Sequence, residues 1–319
     1  MRKLKIPASE VKGFNYHPSY STGSLEDWIM FNRDVWEKEL THGKKCFPKF
    51  NTLRIWLSWN AYCRMGDRFI ECIKEVVEIC RGLGIYVMPC LFNRWHDPMI
   101  DCDGIYIDHF LPNSSWLLKF GDPFTKYIAD LAAAFKDEEQ ILCWDVCNEP
   151  LAYNGEFPMM ETVKKYELEW LHRMTDGLRA GGVTQPIGIG TTGMEPMTDF
   201  DDMCDVYLTH LYYRNDLVGF ERNLLALLEE AKDNGDKEVI ISECCWGSLD
   251  DKRRAERVRG TLSTITKYGA GFVAHALWTC GCADLHDISE GPVTDGIGNL
   301  AFILRDGTVR PYHEIYNEF

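Results

Sequence analysis

Eight short β-branched or apolar runs alternate with longer helical patterns along this chain, and that alternation constrains the fold more than any other feature. The strand-like runs cover residues 11–16, 52–57, 85–92, 141–147, 186–190, 206–211, 239–242 and 272–278, the fifth being the weakest. Between them, residues 67–83 place Phe69, Ile73, Val76, Val77 and Cys80 at helical spacing before a Gly82/Gly84 stop. Further helices are expected from Asp122 as cap and Pro123 as first residue, then over 160–180, 217–231 and 250–267. A closing helix is expected over 311–317. Strands separated by helices must run parallel, and eight of them close a barrel. The expected fold class is α/β, one (β/α)8 barrel over residues 1–319, whose length accommodates the roughly 250 residues such a fold needs. No internal repeat or low-complexity linker divides the chain.

Charge narrows the function. Thirty-four basic residues against 49 acidic give a net charge of −15, a field that repels nucleic acid and anionic membrane surfaces. A neutral substrate suits it. The basic start, Met1-Arg2-Lys3-Leu4-Lys5, has no apolar run behind it, and no stretch approaches the roughly 18 apolar residues of a membrane span. The 13 cysteines are an odd number scattered through strands and helices, which points to free thiols and a cytoplasmic location.

Two rim carboxylates carry the chemistry. Trp144-Asp145-Val146-Cys147-Asn148-Glu149-Pro150 ends the fourth run, and the proline stops the ladder, leaving Asn148 and Glu149 at the C-terminal mouth where barrels keep their catalytic groups. Glu238-Val239-Ile240-Ile241-Ser242-Glu243 ends the seventh run in a second carboxylate. Three strands apart, the two can face each other across the mouth, as glycoside hydrolysis requires of an acid and a nucleophile or base.

With these residues in view, the chain resembles clan A of the glycoside hydrolases and, within it, family 5 with its cellulase-like and endo-β-mannanase-like members. The likeness extends from Gly13-Phe14-Asn15-Tyr16-His17 to Pro311-Tyr312. It implies a retaining hydrolase of β-linked oligosaccharides or glycosides, of β-mannoside or β-glucoside type, with Glu149 as acid/base and Glu243 as nucleophile. It further implies that Arg54, in Leu53-Arg54-Ile55-Trp56-Leu57, pairs with Glu243. Tyr212, in Thr209-His210-Leu211-Tyr212, would donate to Glu243, with His210 supporting the acid/base or substrate. By the same likeness Asn148 would bind the sugar 2-hydroxyl and Trp278 would floor the subsite of the cleaved sugar. Phe92-Asn93-Arg94-Trp95-His96-Asp97 is similar to the Asn-rich, Trp-containing stretch of mannanase-like members, so Asn93, Trp95 or His96 would face the sugar. Trp59, Asn60, Tyr62, Tyr213 and Trp246 lie just past strands as candidate sugar platforms, and His286 and Asp284 lie in a loop beyond strand eight.

Neither cofactor nor metal is expected: Cys244-Cys245 and Cys280-Gly281-Cys282 lack zinc-site spacing. Transglycosylation through the same covalent intermediate, a catalytically silent carbohydrate-binding barrel and a metal-dependent barrel enzyme are the competing readings. The residues do not determine the oligomeric state.

Overall fold

The computed structural model describes residues 1–94, 104–105, 109–151, 160–193, 195–282 and 300–319. Eight strands form one closed, parallel ladder: β1 (Lys12–Asn15), β2 (Thr52–Trp56), β3 (Tyr86–Asn93), β4 (Trp144–Asn148), β5 (Ile187–Thr191), β6 (Tyr207–His210), β7 (Val239–Cys244) and β8 (Gly271–Ala274). Each pairs with its neighbour in sequence, and β8 closes on β1 through Gly13↔Val273. The expected (β/α)8 barrel is therefore the observed architecture.

Helices surround it: α1 (Ser24–Ile29), α2 (Arg33–Cys46), α3 (Trp59–Met65), α4 (Asp67–Leu83), α5 (Ser115–Phe120), α6 (Thr125–Phe135), α7 (Met160–Ala180), α8 (Leu217–Asp233) and α9 (Asp251–Lys267). Alternation along the strands sorts the core into two parts. In β2, Leu53 and Ile55 join the large apolar cluster under the helices, while Arg54 between them enters the barrel. A separate cluster of Val11, Met88, Leu142, Val206, Leu208, Ile240 and Val273 fills the lower barrel, where Ala8 of an N-terminal 3-10 turn packs against it. The polar layer above this plug is where the strands present their functional side chains.

Several expectations change in detail. The helix after Pro123 begins at Thr125; Phe124 is its cap, and Asp122 instead accepts a hydrogen bond from the Phe124 N–H at 3.0 Å. Residues 311–317 form no α-helix; a 3-10 helix runs over His313–Glu318. Helix α2 was not foreseen, because its buried stripe holds only Trp36, Glu39, Leu40 and Gly43 in an otherwise charged segment. Its start is fixed by Asn32, whose side chain accepts from the N–H groups of Asp34 and Val35.

The ladder slips at three places: between Asp145 and Asn148 on β4–β5, Thr209 and His210 on β6–β7, and Ile241 and Cys244 on β7–β8. All three lie at strand C-termini that carry candidate site residues. A local irregularity breaks the strict alternation and re-aims a side chain, which is how neighbouring strands turn polar groups towards one point.

Candidate active site

The site is built around one buried cation. Arg54 has no solvent exposure, and all three of its side-chain nitrogens donate. Nε and Nη2 reach Asp145 Oδ2 at 2.9 and 2.8 Å, Nη1 reaches Glu243 Oε1 at 2.7 Å and Asn15 Oδ1 at 2.9 Å, and Nη2 reaches Asn148 Oδ1 at 2.8 Å. A planar fork of fixed donors suits such a convergence of acceptors, and a lysine could not copy it. Desolvation pulls the Arg54 pKa down, but Asp145, Cys90 and Glu243 outweigh that and raise it above its ordinary value. The guanidinium is therefore a permanent charge, balanced by two carboxylates on different strands.

The acceptors are themselves held. Asn15 donates to the backbone oxygens of Ser242 and Val273, which orients its oxygen towards Arg54. Asp145 Oδ1 accepts from the Gly190 N–H at 2.9 Å. A side chain at Gly190 would put Cβ 2.8 Å from Asp145 Oδ2 and 3.2 Å from both Arg54 Nη2 and His210 Nε2. Only glycine lets strand β5 pass this closely.

Glu243 sits at the end of β7, inside the strand rather than beyond it. Its second oxygen, Oε2, accepts from the Tyr212 hydroxyl at 2.7 Å. Burial and then the Glu243 carboxylate push the Tyr212 phenol well above its ordinary pKa, so it stays a donor at any physiological pH. With Arg54 on one oxygen and Tyr212 on the other, Glu243 is fixed in position.

Glu149 lies across the mouth. Its backbone takes φ of +50°, a left-handed conformation uncommon for a residue with a side chain, and its N–H donates to Gly190 O at 2.7 Å. His210 Nδ1 is 2.7 Å from Glu149 Oε1 and 3.4 Å from Glu243 Oε2, so one imidazole spans both carboxylates. Oxygen atoms of Glu149 and Glu243 approach within 4.8 Å of one another. Glu149 is the more open of the two: its side chain is 15% exposed against 3% for Glu243.

Asn148 and Asn93 meet through Asn148 Nδ2 and Asn93 Oδ1 at 2.9 Å, both buried at the same rim. Below them Arg94 and Glu167 form a fully buried pair at 2.7 Å, and Glu167 also accepts from the Leu151 N–H. The Arg94 N–H bonds Asn148 O at 2.9 Å. This second ion pair ties the ends of β3 and β4 to helix α7 on either side of Glu149.

Strand eight departs from expectation. The ladder stops at Ala274, and the chain then pairs with residues 300–303: Ala276 N–H to Leu300 O and Ile303 N–H to Leu277 O, each at 2.9 Å. That turn carries Trp278 away from the mouth. Its ring packs on His42 of α2 at 5.6 Å and lies against Gly307 in an outer cleft, so Trp278 does not floor the site. His275 takes the place facing Glu243, its Nδ1 3.8 Å from Glu243 Oε2 and its ring 5.9 Å from Trp56. Trp56 in turn lies under Arg54 at 4.6 Å and stacks on His17 at 4.6 Å, while His17 bonds Asp27 at 2.6 Å.

Of the candidate platforms, Trp246 borders the site, packing edge-on to Tyr212 at 5.1 Å with the Arg214 guanidinium 3.5 Å above it. Trp59 and Tyr62 belong to the core around Phe124 and Tyr127, and Tyr213 packs on Phe220. The Asn60 backbone oxygen accepts from Arg64 on the exposed face of α3. Trp95, His96, Asp284 and His286 lie outside the described residues.

Sequence reasoning passed over Asn15, Asp145, Glu167 and His275. The first two carried a legible signal, since each is a polar side chain in a strand of otherwise buried residues. Among the described residues, Glu149, His210 and Glu243 could reach one metal ion together. Arg54 and Tyr212 already occupy both oxygens of Glu243, and a guanidinium at 2.7 Å opposes a cation there.

The sequence model described as cellulase (glycosyl hydrolase family 5) matches residues 10–281. No curated protein matches the chain. Among solved structures, an exo-β-1,4-mannosidase from Opitutaceae bacterium strain TAV5 superposes with a TM-score of 0.71 at 18% identity, over 96% of this chain and 58% of that one. This chain thus spans little more than half the length of that protein. A GH5_18 protein from Streptomyces cattleya, in complex with GlcNAc, gives 0.70 at 16% identity, over 97% and 80% of the two chains. A GH5-4 broad specificity endoglucanase from Clostridium acetobutylicum gives 0.67 at 16% identity, over 98% and 99%. At these identities the superpositions describe a shared fold.

Proposed function

Because the chain belongs to glycosyl hydrolase family 5, we propose that it is a retaining β-glycosidase in which Glu243 is the nucleophile and Glu149 the acid/base. The closeness of the two carboxylates supports the reading: one oxygen of each lies within 4.8 Å of the other, and both contact the same imidazole. Retention needs about 5–5.5 Å between carboxyl groups, whereas inversion leaves about 6.5–9.5 Å for a water.

Glu243 attacks the anomeric carbon while Glu149 protonates the departing glycosidic oxygen. Arg54 and Tyr212 hold the attacking carboxylate ionised and aimed, so little reorganisation remains at the moment of reaction. In the second step Glu149 removes a proton from water, which displaces Glu243 from the sugar. His210, within reach of both carboxylates, keeps a hydrogen-bond partner beside Glu149 in either protonation state. Asn148, oriented by Arg54 and Asn93, is placed to bind a sugar hydroxyl next to the reacting carbon.

The substrate we assign is a short β-mannoside or β-glucoside, processed by one catalytic domain without a cofactor. The mannosidase and endoglucanase among the fold neighbours are consistent with that class. No described helix is long and apolar enough to cross a membrane. Buried free thiols such as Cys80, Cys90, Cys143 and Cys147 support a reducing compartment, so we place the protein in the cytoplasm. The test is turnover of a panel of aryl β-glycosides and short β-1,4-linked oligosaccharides by wild type and Glu243→Gln. Hydrolysis of one glycone that disappears in the variant is expected. A folded wild type inert towards the whole panel would favour a carbohydrate-binding barrel.

A further inference from the structure

Directly behind the nucleophile lie two adjacent cysteines. Cys244 is the last residue of β7, and Cys245 follows with φ of +72°, in the left-handed region. That turn brings the neighbouring sulfurs to 3.7 Å instead of sending them to opposite faces of a strand. Both side chains are completely buried.

A cation faces the pair. Arg254 of α9 is fully buried and forms no ion pair with a carboxylate among the described residues. Its Nη2 donates to the backbone oxygens of His275 and Leu300, at 2.9 and 2.7 Å, while Nε and Nη1 find no hydrogen-bond partner. A buried guanidinium with two orphaned donors calls for a negative group, and the ionisable groups its charge acts on include the thiols of Cys245 and Cys244. Desolvation alone would push that thiol up. The hydrogen bond from Cys244 and the Arg254 charge outweigh it and hold Cys245 below the ordinary thiol value, whereas burial drives Cys244 well above it. One sulfur is thus poised as nucleophile and the other as its protonated neighbour.

We propose that Cys244 and Cys245 form a peroxide-sensitive dithiol whose oxidation to a disulfide switches off the adjacent active site. The Cys245 thiolate attacks one oxygen of hydrogen peroxide, giving a sulfenic acid and, after proton uptake, one water. The Cys244 sulfur then attacks the Cys245 sulfur, losing its proton as the hydroxyl departs as a second water. Two thiols lose two electrons, and one peroxide is reduced to two waters.

Closing the bond draws the sulfurs from 3.7 Å to about 2.05 Å and rotates the peptide that joins them. Cys244 O accepts from the His275 N–H at 3.0 Å, and Glu243 is the preceding residue, so both walls of the site move. Oxidation also removes the negative partner of Arg254, the group that anchors His275 O. A displacement of about 1 Å at a reacting group costs on the order of 100-fold in rate.

Burial sets the chemistry of the reagent. Neither sulfur touches solvent, so a reagent reaches the pair only when the packing around β7 opens locally, and small openings admit peroxide more readily than iodoacetamide. The experiment treats the reduced, folded enzyme with hydrogen peroxide, blocks residual thiols with iodoacetamide after unfolding, and maps peptides by mass. Activity is followed on whichever glycoside serves as substrate; if none does, the mass map still reads the chemistry of the pair. Expected are a 244–245 peptide lighter by two hydrogens, about 100-fold lower kcat, and recovery with dithiothreitol. Cys244→Ala should keep its basal activity and lose the reversible inactivation. Unmodified thiols at 244–245 after exposed Cys63 has oxidised would overturn the proposal, as would formation of the disulfide with full activity retained.

Discussion

Removing the cation at the centre of the site should reverse the effect of a second substitution. Arg54 sits between Asp145 and Glu243 with no solvent contact, and their side chains are at most 3% exposed. In Arg54→Met the volume is nearly kept, but two buried carboxylates lose their counter-charge. Breaking a buried pair from one side costs about 3–5 kcal/mol, a fifth or more of the stability of an ordinary domain. The oxygens of Asn15 and Asn148 also lose their donor, each loss being worth about 1–3 kcal/mol where no water replaces it. These costs share one site and will not add, so a total of about 4–6 kcal/mol is expected. The informative comparison is Asp145→Asn in both backgrounds. In wild type it removes a partner of Arg54 and is destabilising by about 2–4 kcal/mol. In Arg54→Met it removes an unpaired buried charge and should stabilise. Urea unfolding followed by tryptophan fluorescence reads all four proteins. Equal costs of Asp145→Asn in the two backgrounds would refute the coupled network on which the site is built.

Other consequences follow from the same geometry. Tyr212→Phe removes one charge-assisted hydrogen bond, worth about 1.5–3 kcal/mol, so kcat should fall roughly 10- to 100-fold and the melting temperature by a few degrees. Gly190→Ala forces Cβ onto Asp145 and Arg54, and a loss of about 1–3 kcal/mol in stability should accompany a drop in kcat. Trp278→Leu, which alters the packing against α2, should lower stability and leave KM unchanged; a large rise in KM would restore Trp278 to the sugar site. His313 gives a pH signature. Burial first, then Arg254, lowers its pKa to about 2 from the 6.5 of the unfolded chain, so the unfolded state binds more protons below pH 6.5. Stability from this group is present above pH 6.5 and is lost as pH falls towards 2, at up to about 1.4 kcal/mol per pH unit. His313→Asn should flatten that slope in acid unfolding curves, and an unchanged slope would contradict a neutral buried imidazole.

The barrel was legible because its strand signals are local. Each of the eight apolar runs falls on an observed strand, and the charged helix expected over 250–267 is α9, with Asp250 as its cap. Features that depend on distant partners were not. Period-2 alternation carries an expected strand through Trp278, but the ladder ends at Ala274 because residues 276–277 pair instead with a segment some 25 positions further along. Nothing near Trp278 announces that partner, and it is His275 that comes to face Glu243. Likewise α2 buries too few apolar residues to show a helical period, although Asn32 marks its start. Arg54, His210 and Tyr212 stand within hydrogen-bond reach of the two glutamates, each on a different strand end or loop from its partner. Asp145 and Asn15, by contrast, could have been found from polarity alone, since a charged or amide group inside a buried strand needs a partner.

The stereochemistry of the first product tests the proposed mechanism most directly. Proton NMR of the anomeric signals, recorded within the first minutes of hydrolysis of an aryl β-glycoside, distinguishes the two outcomes before mutarotation mixes them. Initial release of the β-sugar is expected from attack by Glu243 and return of water to the same face. Initial release of the α-sugar would mean a single inverting displacement, and would contradict the role assigned to Glu243.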